Sequence, residues 1–429
     1  MRSRLLWLVA VLFPALALAA APIDRKALIT RHNPVVRSVD VDAPLTVGNG
    51  QFAFTADITG LQTFAEYYHR NGIPTETEAR WAWVTDENPN SYKLSDANKD
   101  FTLPDGRVLG FPTKDSSPAG AWLRRNPRAL PVGQLELVWD KPDGSAFTPA
   151  DIQEPEQTLD LWRGIITSKF KLGGVPVMVV TVCDPTQDAL AVWVTSELVT
   201  TGKLRVKLRF PRGYDPEVKN TPGLDWSHPE AHRSVEKPLD DATESIQRSV
   251  GGLNYFVVIS GCAVKKTAVH EFLLTTGDQP GDILQFSIGF APGDHVLTLR
   301  SPTTTMLVAA TNWEEFWTLG AAVDFSGSTN PLAQKLEERI ILSRYLTAVQ
   351  LAGDVPPQES GLTCSTWYGK HHTEMIWWHT AQFALWGNDA LLEKNLDWFR
   401  AQLPAARELA KSRGLDGARW AKMTGPEMR

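Results

Sequence analysis

Apolar and polar residues alternate along most of the chain between residue 35 and about residue 300. The strictest alternation is that of Leu204, Val206, Leu208 and Phe210, which are separated by single basic residues. A period of two predicts strands with one buried face. Further strands are predicted at residues 135–139, 164–172, 175–183, 189–197, 255–259, 269–275, 283–288 and 296–299. Many short strands joined by turns favour a large antiparallel β-sandwich.

An early hairpin is predicted at Asn49 and Gly50, because an Asn-Gly pair between two apolar segments favours a tight turn. Phe52, Phe54 and Ala56 occupy alternate positions of its second strand. The triplet Gly48-Asn49-Gly50 by itself indicates a plain hairpin turn more than a ligand-binding loop.

Beyond residue 303 the apolar period becomes helical. A short helix is predicted at residues 312–319, and a long amphipathic one starts at the Asn330-Pro331 pair, which suits a helix N-terminus, and runs to Gly353. Two more helices are predicted at residues 389–402 and 404–412. We therefore expect a signal peptide at 1–19, a β-sandwich domain at 20–302, a linker at 303–329 and a partial helical domain at 330–429.

Residues 361–387, GLTCSTWYGKHHTEMIWWHTAQFALWG, hold four tryptophans and three histidines. A turn-rich segment precedes a predicted helix at 373–386, whose apolar residues point to almost every side. Such a helix is expected to be buried all round, like an inner helix of a two-layered helical toroid. Lys370, His372 and Glu374 then lie at its N-terminus, where the helix dipole and Lys370 would keep Glu374 ionised.

The first nineteen residues have the pattern of a signal peptide. Arg2 and Arg4 precede an apolar segment that ends at Ala17-Leu18-Ala19, so cleavage is expected after Ala19. The alternative, a retained membrane anchor, is disfavoured because the segment is shorter than the roughly 20 residues of a spanning helix. The protein is expected to be exported, to the periplasm or the extracellular space, with no membrane partner after cleavage.

Charge and cysteine content limit the possible partners. Loss of Arg2 and Arg4 with the leader takes the formal charge from −6 to −8, which disfavours nucleic acid and anionic membranes and favours neutral ligands. Three widely spaced cysteines provide neither a disulfide framework nor a CxxC metal site. Six of the sixteen tryptophans follow residue 360, and tryptophan faces suit the apolar faces of sugar rings, although scattered tryptophans also fill cores.

Several short motifs resemble the six-hairpin glycosidase superfamily, close to glycoside hydrolase family 65 and the related α-L-fucosidase branch. The resemblance is strongest over residues 33–83 and 336–429, and its members combine an N-terminal β-sandwich, a linker and an (α/α) toroid of six helical hairpins. The matching segments are Gly48-Asn49-Gly50, Gly361-Leu362, Tyr368-Gly369-Lys370-His371, Thr373-Glu374-Met375 and Gly417-Ala418-Arg419-Trp420.

Two departures from the family pattern affect what the resemblance implies. His372 stands where family 65 has a sugar-binding aspartate, so the sugar preference does not transfer. The general acid of such enzymes lies well downstream of the Gly-Ala-Arg segment, so the resemblance places it beyond Arg429. We therefore expect a C-terminally truncated chain that holds only the first hairpins of the toroid and no complete inverting pair of carboxyl groups.

The candidate substrate-binding residues are Trp367, Lys370, His372, Glu374 and Trp377. Glu374 would accept hydrogen bonds from substrate hydroxyls, Lys370 and His372 would donate, and Trp367 or Trp377 would stack on a sugar ring. A buried structural network at the helix start is the alternative. Trp81 and Trp83 either cover the pocket from the sandwich or pack in the core.

Neither a metal nor another cofactor is expected. His371, His372, Glu374 and His379 are close in sequence, but they lack the H-E-x-x-H spacing that places ligands on one helix face. No G-x-S-x-G motif supports a serine triad. The sequence thus favours an exported glycoside hydrolase-like protein acting on an oligo- or polysaccharide, with a phosphorylase disfavoured outside the cytoplasm. A non-catalytic carbohydrate-binding or scaffold protein is the alternative.

Overall fold

The computed structural model describes residues 22–113, 116–213, 224–240, 243–277 and 281–428. The predicted signal peptide, residues 1–19, lies outside these ranges. The strands are β1 Val35–Val36, β2 Leu45–Gly48, β3 Phe52–Ala56, β4 Thr77–Val84, β5 Asn98–Thr102, β6 Val108–Pro112, β7 Arg128–Pro131, β8 Gln134–Trp139, β9 Gln153–Asp160, β10 Ile165–Leu172, β11 Val175–Cys183, β12 Ala189–Thr195, β13 Leu204–Arg209, β14 His232–Glu236, β15 Thr243–Val250, β16 Leu253–Ser260, β17 Ala263–Ala268, β18 Glu271–Thr275, β19 Ile283–Pro292, β20 His371–His372 and β21 Met423–Thr424.

The helices follow mainly in the C-terminal third of the chain. They are α1 Arg25–Thr30, α2 Ala65–Asn71, α3 Pro118–Arg125, α4 Glu197–Thr200, α5 Pro302–Thr318, α6 Ala333–Leu351, α7 Ile376–His379, α8 Ala381–Leu385, α9 Asp389–Ala401 and α10 Leu403–Lys411. Short 3-10 turns occur at Leu94–Ala97, Pro149–Asp151, Pro229–Ala231, Trp367–Gly369, Thr373–Met375 and Pro426–Met428.

Antiparallel sheets form the N-terminal part. The largest has nine strands in the order β1-β9-β10-β11-β12-β19-β16-β15-β14. Two four-stranded sheets have the orders β17-β18-β13-β8 and β2-β3-β4-β7. Their inward side chains meet in one hydrophobic core, to which α5 and α6 also contribute. The prediction of an antiparallel β region followed by helices is therefore confirmed.

The alternating positions of β13 show why the pattern was informative. Leu204, Val206 and Leu208 are buried, while the basic residues between them are partly exposed. The prediction for residues 175–183 coincides with β11. Residues 296–299 form no strand, and β17 was missed because almost all of its side chains are exposed.

The first helix of the C-terminal part is longer than its apolar pattern indicated. The Ser301 hydroxyl accepts a hydrogen bond from the Thr304 N–H, which starts α5 at Pro302. Trp313 and Trp317 face inward, and Trp313 stacks on Tyr345 of α6 with ring centroids 4.5 Å apart. This stack joins α5 to α6 above the β2 edge of the sandwich, where the Tyr345 hydroxyl donates to the Thr46 carbonyl oxygen at 3.1 Å.

The β2–β3 hairpin packs directly on the end of α6. The Gly50 N–H donates to the Val349 carbonyl oxygen at 3.1 Å. Gly50 has a φ of +87°, and a Cβ there would lie 2.7 Å from the Ala352 carbonyl carbon. Both the left-handed conformation and the close approach therefore favour glycine. The predicted hairpin turn is confirmed, and it also positions α6.

The prediction of one continuous, fully buried helix at 373–386 is wrong. Thr380 has φ −124° and ψ −24°, and it separates α7 from α8. Trp377 is 72% exposed, Trp378 66% and Leu385 81%. An apolar pattern on all sides indicated burial, but within the described ranges the outer faces of these two short helices have no packing partner.

A buried carboxylate ties the N-terminal segment to α6. Glu337 is fully buried, and its Oε1 accepts hydrogen bonds from Arg31 at 2.6 Å and from His32 Nε2 at 2.6 Å. Its other oxygen accepts from the Phe325 N–H. Burial alone would raise the pKa of Glu337, but these hydrogen bonds outweigh it and hold the pKa below its usual range.

We expect Glu337→Gln to lower the free energy of unfolding by about 2 kcal/mol, because charge-assisted hydrogen bonds to a buried group are lost. The neighbouring exposed residue gives a matched control, Glu338→Gln, which should change stability by less than about 0.5 kcal/mol. Urea unfolding at pH 7 measures both. The difference between wild type and Glu337→Gln should shrink as the pH falls and the carboxylate becomes protonated. Equal losses in the two variants would contradict this role.

Candidate functional site

A cavity of about 900 Å³ lies between the sandwich and the C-terminal helices. Its walls come from β4, the segment that leads from β4 to β7, the loop before β20, α10 and the last described residues. The lining residues are Trp83, Thr85, Asn88, Tyr92, Leu94, Ala97, Pro112, Gly120, Trp122, Leu123, Arg124, Asn126, Pro127, Trp367, Lys370, Ala405, Leu409, Arg413, Ala421, Met423, Thr424, Pro426, Glu427 and Met428.

Aromatic rings from three separate segments line this cavity. The Trp83 indole N–H donates to the Arg80 carbonyl oxygen at 2.7 Å, and that of Trp122 donates to the Glu87 carbonyl oxygen at 3.0 Å. Tyr92 lies beside Trp122 with ring centroids 6.5 Å apart. Both indole N–H groups are used in hydrogen bonds to backbone oxygens, and these bonds hold the rings in place. The rings therefore offer mainly their apolar surfaces to a ligand.

The loop before β20 brings Trp367 and Lys370 into the same cavity. Trp367 has a φ of +52°, which is uncommon for a residue with a side chain. Gly369 follows with a φ of +69°, and a Cβ there would lie 2.4 Å from the Cβ of Ala129 on β7. The loop therefore lies directly against β7, and this contact sets where the Lys370 side chain begins.

Lys370 is a buried amine. It is 5% exposed, and its Nζ donates to the Asn126 carbonyl oxygen at 2.9 Å and to that of Leu123 at 3.4 Å. No carboxylate of the described residues forms an ion pair with it. Burial without a compensating negative charge lowers the pKa of Lys370 from 10.5 to about 7.

The acceptor of this amine is itself firmly held. The Asn126 side-chain oxygen accepts from the Asp86 N–H at 2.8 Å, and its amide donates to the Trp122 carbonyl oxygen at 3.1 Å. Next to it, Arg128 forms two hydrogen bonds to Asp86, at 2.7 and 2.9 Å. These bonds from Arg128 lower the pKa of the Asp86 carboxyl, although partial burial opposes them. The wall that receives Lys370 is thus rigid.

Of the five predicted binding residues, Trp367 and Lys370 line the cavity, while His372, Glu374 and Trp377 do not. Of the two tryptophans left open between pocket and core, Trp83 lines the cavity. Trp81 instead packs on Tyr255 and donates to Asp188 at 2.7 Å.

His372 was expected at a helix N-terminus, but it forms the short strand β20 together with His371. Strand β20 pairs with β21, and the His372 Nδ1 donates to the Lys370 carbonyl oxygen at 2.9 Å. The His371 ring lies between Trp83 and Trp398, with centroids 5.1 and 5.8 Å away. Burial, reinforced by the positive charges nearby, lowers the pKa of His371 to about 4. Both histidines therefore belong to the structural network behind the cavity.

The expected pairing of Glu374 with Lys370 does not form. Glu374 Oε1 lies 3.3 Å from the Nζ of Lys422, and its side chain is 34% exposed. The Lys370 amine points to the Asn126 wall instead, because β20 turns the backbone between the two residues. Glu374 sits in a 3-10 turn ahead of α7.

The cavity offers little acid–base chemistry. Among the described lining residues Glu427 is the one carboxylate, whereas inverting glycoside hydrolysis uses two carboxyl groups about 6.5–9.5 Å apart. Within the described ranges, no three His, Cys, Asp or Glu side chains converge in an arrangement that could hold a metal ion. The lining therefore suits the binding of a ligand more than acid–base catalysis.

None of the helices in the described ranges is both long and apolar enough to span a bilayer.

Three lining residues, Tyr92, Trp122 and Arg413, were not predicted from the sequence. The segment from residue 85 to 127 has no regular period, so no element was predicted there. The signal that could have indicated a binding segment is the closeness of an aromatic and a basic residue, Trp122 and Arg124, in the sequence. Arg413 lies just past the predicted helix at 404–412, and no motif marked it.

The sequence matches no protein-family model and no curated protein. Its fold is similar to that of a candidate kojibiose phosphorylase from the human microbiome, with a TM-score of 0.58 and 10% identity over 91% of this chain and 51% of that chain. A bacterial glucoamylase solved with acarbose is matched with a TM-score of 0.39 and 10% identity, over 88% and 54% of the two chains. The chain thus spans about half the length of both proteins.

The first of these similarities supports the expected fold order, in which a β domain precedes helices. At 10% identity it establishes a shared fold and not a shared activity.

The buried amine should make stability depend on pH. Lys370 binds a proton up to about pH 10.5 in the unfolded chain but only to about pH 7 in the folded one, so stability should rise with pH between these values. Lys370→Met should remove this rise, whereas Lys335→Met, at an exposed position, should keep it. Urea unfolding at several pH values between 7 and 10 measures the slopes. Equal slopes for the two variants would show that Lys370 titrates normally.

Proposed function

We propose that this protein is an exported, carbohydrate-active protein of the glycoside hydrolase type, and that the described cavity binds its saccharide. The observation that supports this most strongly is the lining, in which Trp83, Trp122, Trp367 and Tyr92 surround a space of about 900 Å³ next to the Lys370 amine. Pockets for small ligands typically measure about 300–1,000 Å³. The space therefore suits an oligosaccharide.

The chemistry of the lining matches that of sugars. A pyranose ring has an apolar C–H face that fits an aromatic ring, and hydroxyl groups around its rim that need hydrogen-bond partners. Trp367 and Trp122 would provide stacking surfaces, while Lys370 and the Asn126 wall would bond the hydroxyls. Trp367 and Lys370 keep their predicted binding role in this proposal, and Trp83 and Trp122 join them.

The fold favours glycoside chemistry as the protein's wider role. The protein that it resembles is described as a kojibiose phosphorylase, and the sequence motifs point to the same superfamily of glycosidases. By that resemblance, hydrolysis would proceed with inversion, and the helices after residue 330 would belong to an (α/α) toroid. Export rests on the leader pattern of residues 1–19.

A non-catalytic, carbohydrate-binding role is the second candidate. One observation favours it: Glu427 is the one carboxylate among the described residues that line the cavity. A single carboxyl group cannot act both as the acid that protonates the leaving group and as the base that activates water.

Saccharide binding can be tested through the tryptophans. A panel of neutral and acidic oligosaccharides is tested. We expect at least one of them to change the intrinsic tryptophan fluorescence in a saturable way. Trp367→Ala should weaken that ligand about tenfold, or about 1.4 kcal/mol, because one stacking surface is lost. Trp378→Ala removes an indole that is 66% exposed and outside the cavity, so it should leave the affinity unchanged. Equal effects of the two substitutions, or no ligand at all, would refute the proposed site.

The two candidate functions differ in turnover. We expect the purified chain to release no measurable aryl group from a panel of aryl-glycosides, because the described residues that line the cavity include one carboxylate and not two. Hydrolysis that disappears in Glu374→Gln but persists in Glu359→Gln, a change at an exposed carboxylate before the loop, would contradict this expectation and make Glu374 part of the reaction.

A further inference from the structure

The charge of the cavity lining is opposite to that of the whole chain. The sequence has a formal charge of −6, yet the lining contains two cationic side chains, Lys370 and Arg413, that form no ion pair with a carboxylate of the described residues. Charges of one sign around a cleft with low-dielectric walls concentrate ligands of the opposite sign. The lining thus favours an anion even though the protein as a whole would repel it.

Lys370 is one of these cations, and backbone oxygens are its hydrogen-bond acceptors. Its Nζ contacts two backbone carbonyl oxygens, and each carries only a partial negative charge. A fully charged ammonium group in such a place is stabilised when an anion enters beside it, since the ion pair then offsets the cost of desolvation.

Arg413 is a second cation that lines the same cavity. It is 9% exposed, and its guanidinium lies over the Phe111 ring, 4.8 Å from the centroid. Arg419 approaches the same ring at 5.7 Å. No carboxylate of the described residues pairs with Arg413. Burial and the neighbouring charge of Arg419 lower its pKa, so it too would gain from a negative ligand.

A guanidinium group suits an anion of a particular shape. Its planar fork binds a carboxylate or a sulfate through two parallel hydrogen bonds, which an ammonium group alone cannot do. Together with aromatic rings for stacking, the lining offers complementary sites for a sugar ring and for an anionic group attached to it.

We propose that the saccharide bound in this cavity is acidic, with its anionic group bound by Lys370 and Arg413. This inference rests on the proposed function and specifies the class of substrate. Uronic acids and sulfated sugars share the required chemistry of a negative group on a pyranose ring.

Binding an anion should change the protonation of Lys370. The amine is about half deprotonated near pH 7 in the free protein, and a bound anion would raise its pKa. Binding should therefore take up protons at pH 7 to 8 and weaken as the pH rises from 6 to 8. The other charged or titratable side chains that line the cavity are Tyr92, Arg124, Arg413 and Glu427. His371 and His372 follow Lys370 in the chain, and the Asp86–Arg128 pair holds the Asn126 wall on which the amine lies. Of these, His371 stays neutral in this range, because burial lowers its pKa to about 4.

The test compares matched ligands by calorimetry. Trisaccharides of galacturonate and of glucuronate are each compared with the fully methyl-esterified form, which has the same ring and linkage but no charge. A sulfated trisaccharide and its desulfated form make a third pair. We expect at least one acid to bind tenfold or more tightly than its neutral counterpart at pH 6, and the pair that shows this identifies the anionic group. Titrations in two buffers of different ionisation enthalpy then measure proton uptake at pH 7.5.

Two substitutions locate the charge. Lys370→Met and Arg413→Gln should each reduce the preference for the acid, with Lys370→Met also abolishing proton uptake. The matched controls are Lys394→Met and Arg419→Gln. Lys394 is also partly buried with its amine on a backbone carbonyl, and Arg419 shares the Phe111 ring, but neither lines the cavity. Thermal melts establish that each variant folds.

The outcomes separate this inference from the proposed function. If neutral and acidic members of every pair bind equally well, the acidic class is wrong while saccharide binding stands. If neither the acids nor any neutral oligosaccharide binds, both are wrong. A preference for the acid that survives in Lys370→Met and Arg413→Gln would also overturn the assignment. If a variant fails to fold, the matched ligand pairs and the proton uptake of the wild type still decide whether the bound saccharide is acidic.

Discussion

The close contact between the β2–β3 hairpin and the end of α6 is the constraint on which the rest of the arrangement depends. Gly50 has no side chain, so its backbone can donate to the Val349 carbonyl oxygen while lying against Ala352. This fixes where α6 ends relative to the sandwich. The chain that follows then lies along β7 at Gly369 and places Trp367 and Lys370 opposite Trp83. The position of the cavity therefore depends on the contact between this helix end and the hairpin.

Local and overall electrostatics differ in this protein. The net charge of the sequence favoured a neutral ligand, since it counts every side chain equally. The fold, however, brings basic residues from α3, the loop before β20 and the end of α10 to one space. The most buried of them, Lys370, donates hydrogen bonds to backbone oxygens and not to a carboxylate. A buried cation without a counter-charge is costly for stability, and such groups often serve a ligand.

The sequence predicted the regular elements well and the cavity poorly, for a physical reason. Alternation reports burial on one side, so β11 and β13 were found at nearly their full length. Apolar residues on every side of the 373–386 segment indicated burial, yet Trp377 is mostly exposed. The cavity depends on contacts between residues far apart, such as the bond from Lys370 to Asn126 across 244 positions. The hydrophobic period of a sequence does not predict a hydrogen bond between distant residues. The irregular segment that supplies Trp122 has no such period.

Saccharide binding between Trp83, Trp122, Trp367 and Lys370 can be observed in a crystal structure of the protein soaked with the tightest acidic trisaccharide. We expect density for a sugar ring against an indole of this cavity, with its anionic group within hydrogen-bonding distance of the Lys370 amine. A saccharide that binds elsewhere, for example on the exposed rings of Trp377 and Trp378, while the cavity holds only water, would contradict it.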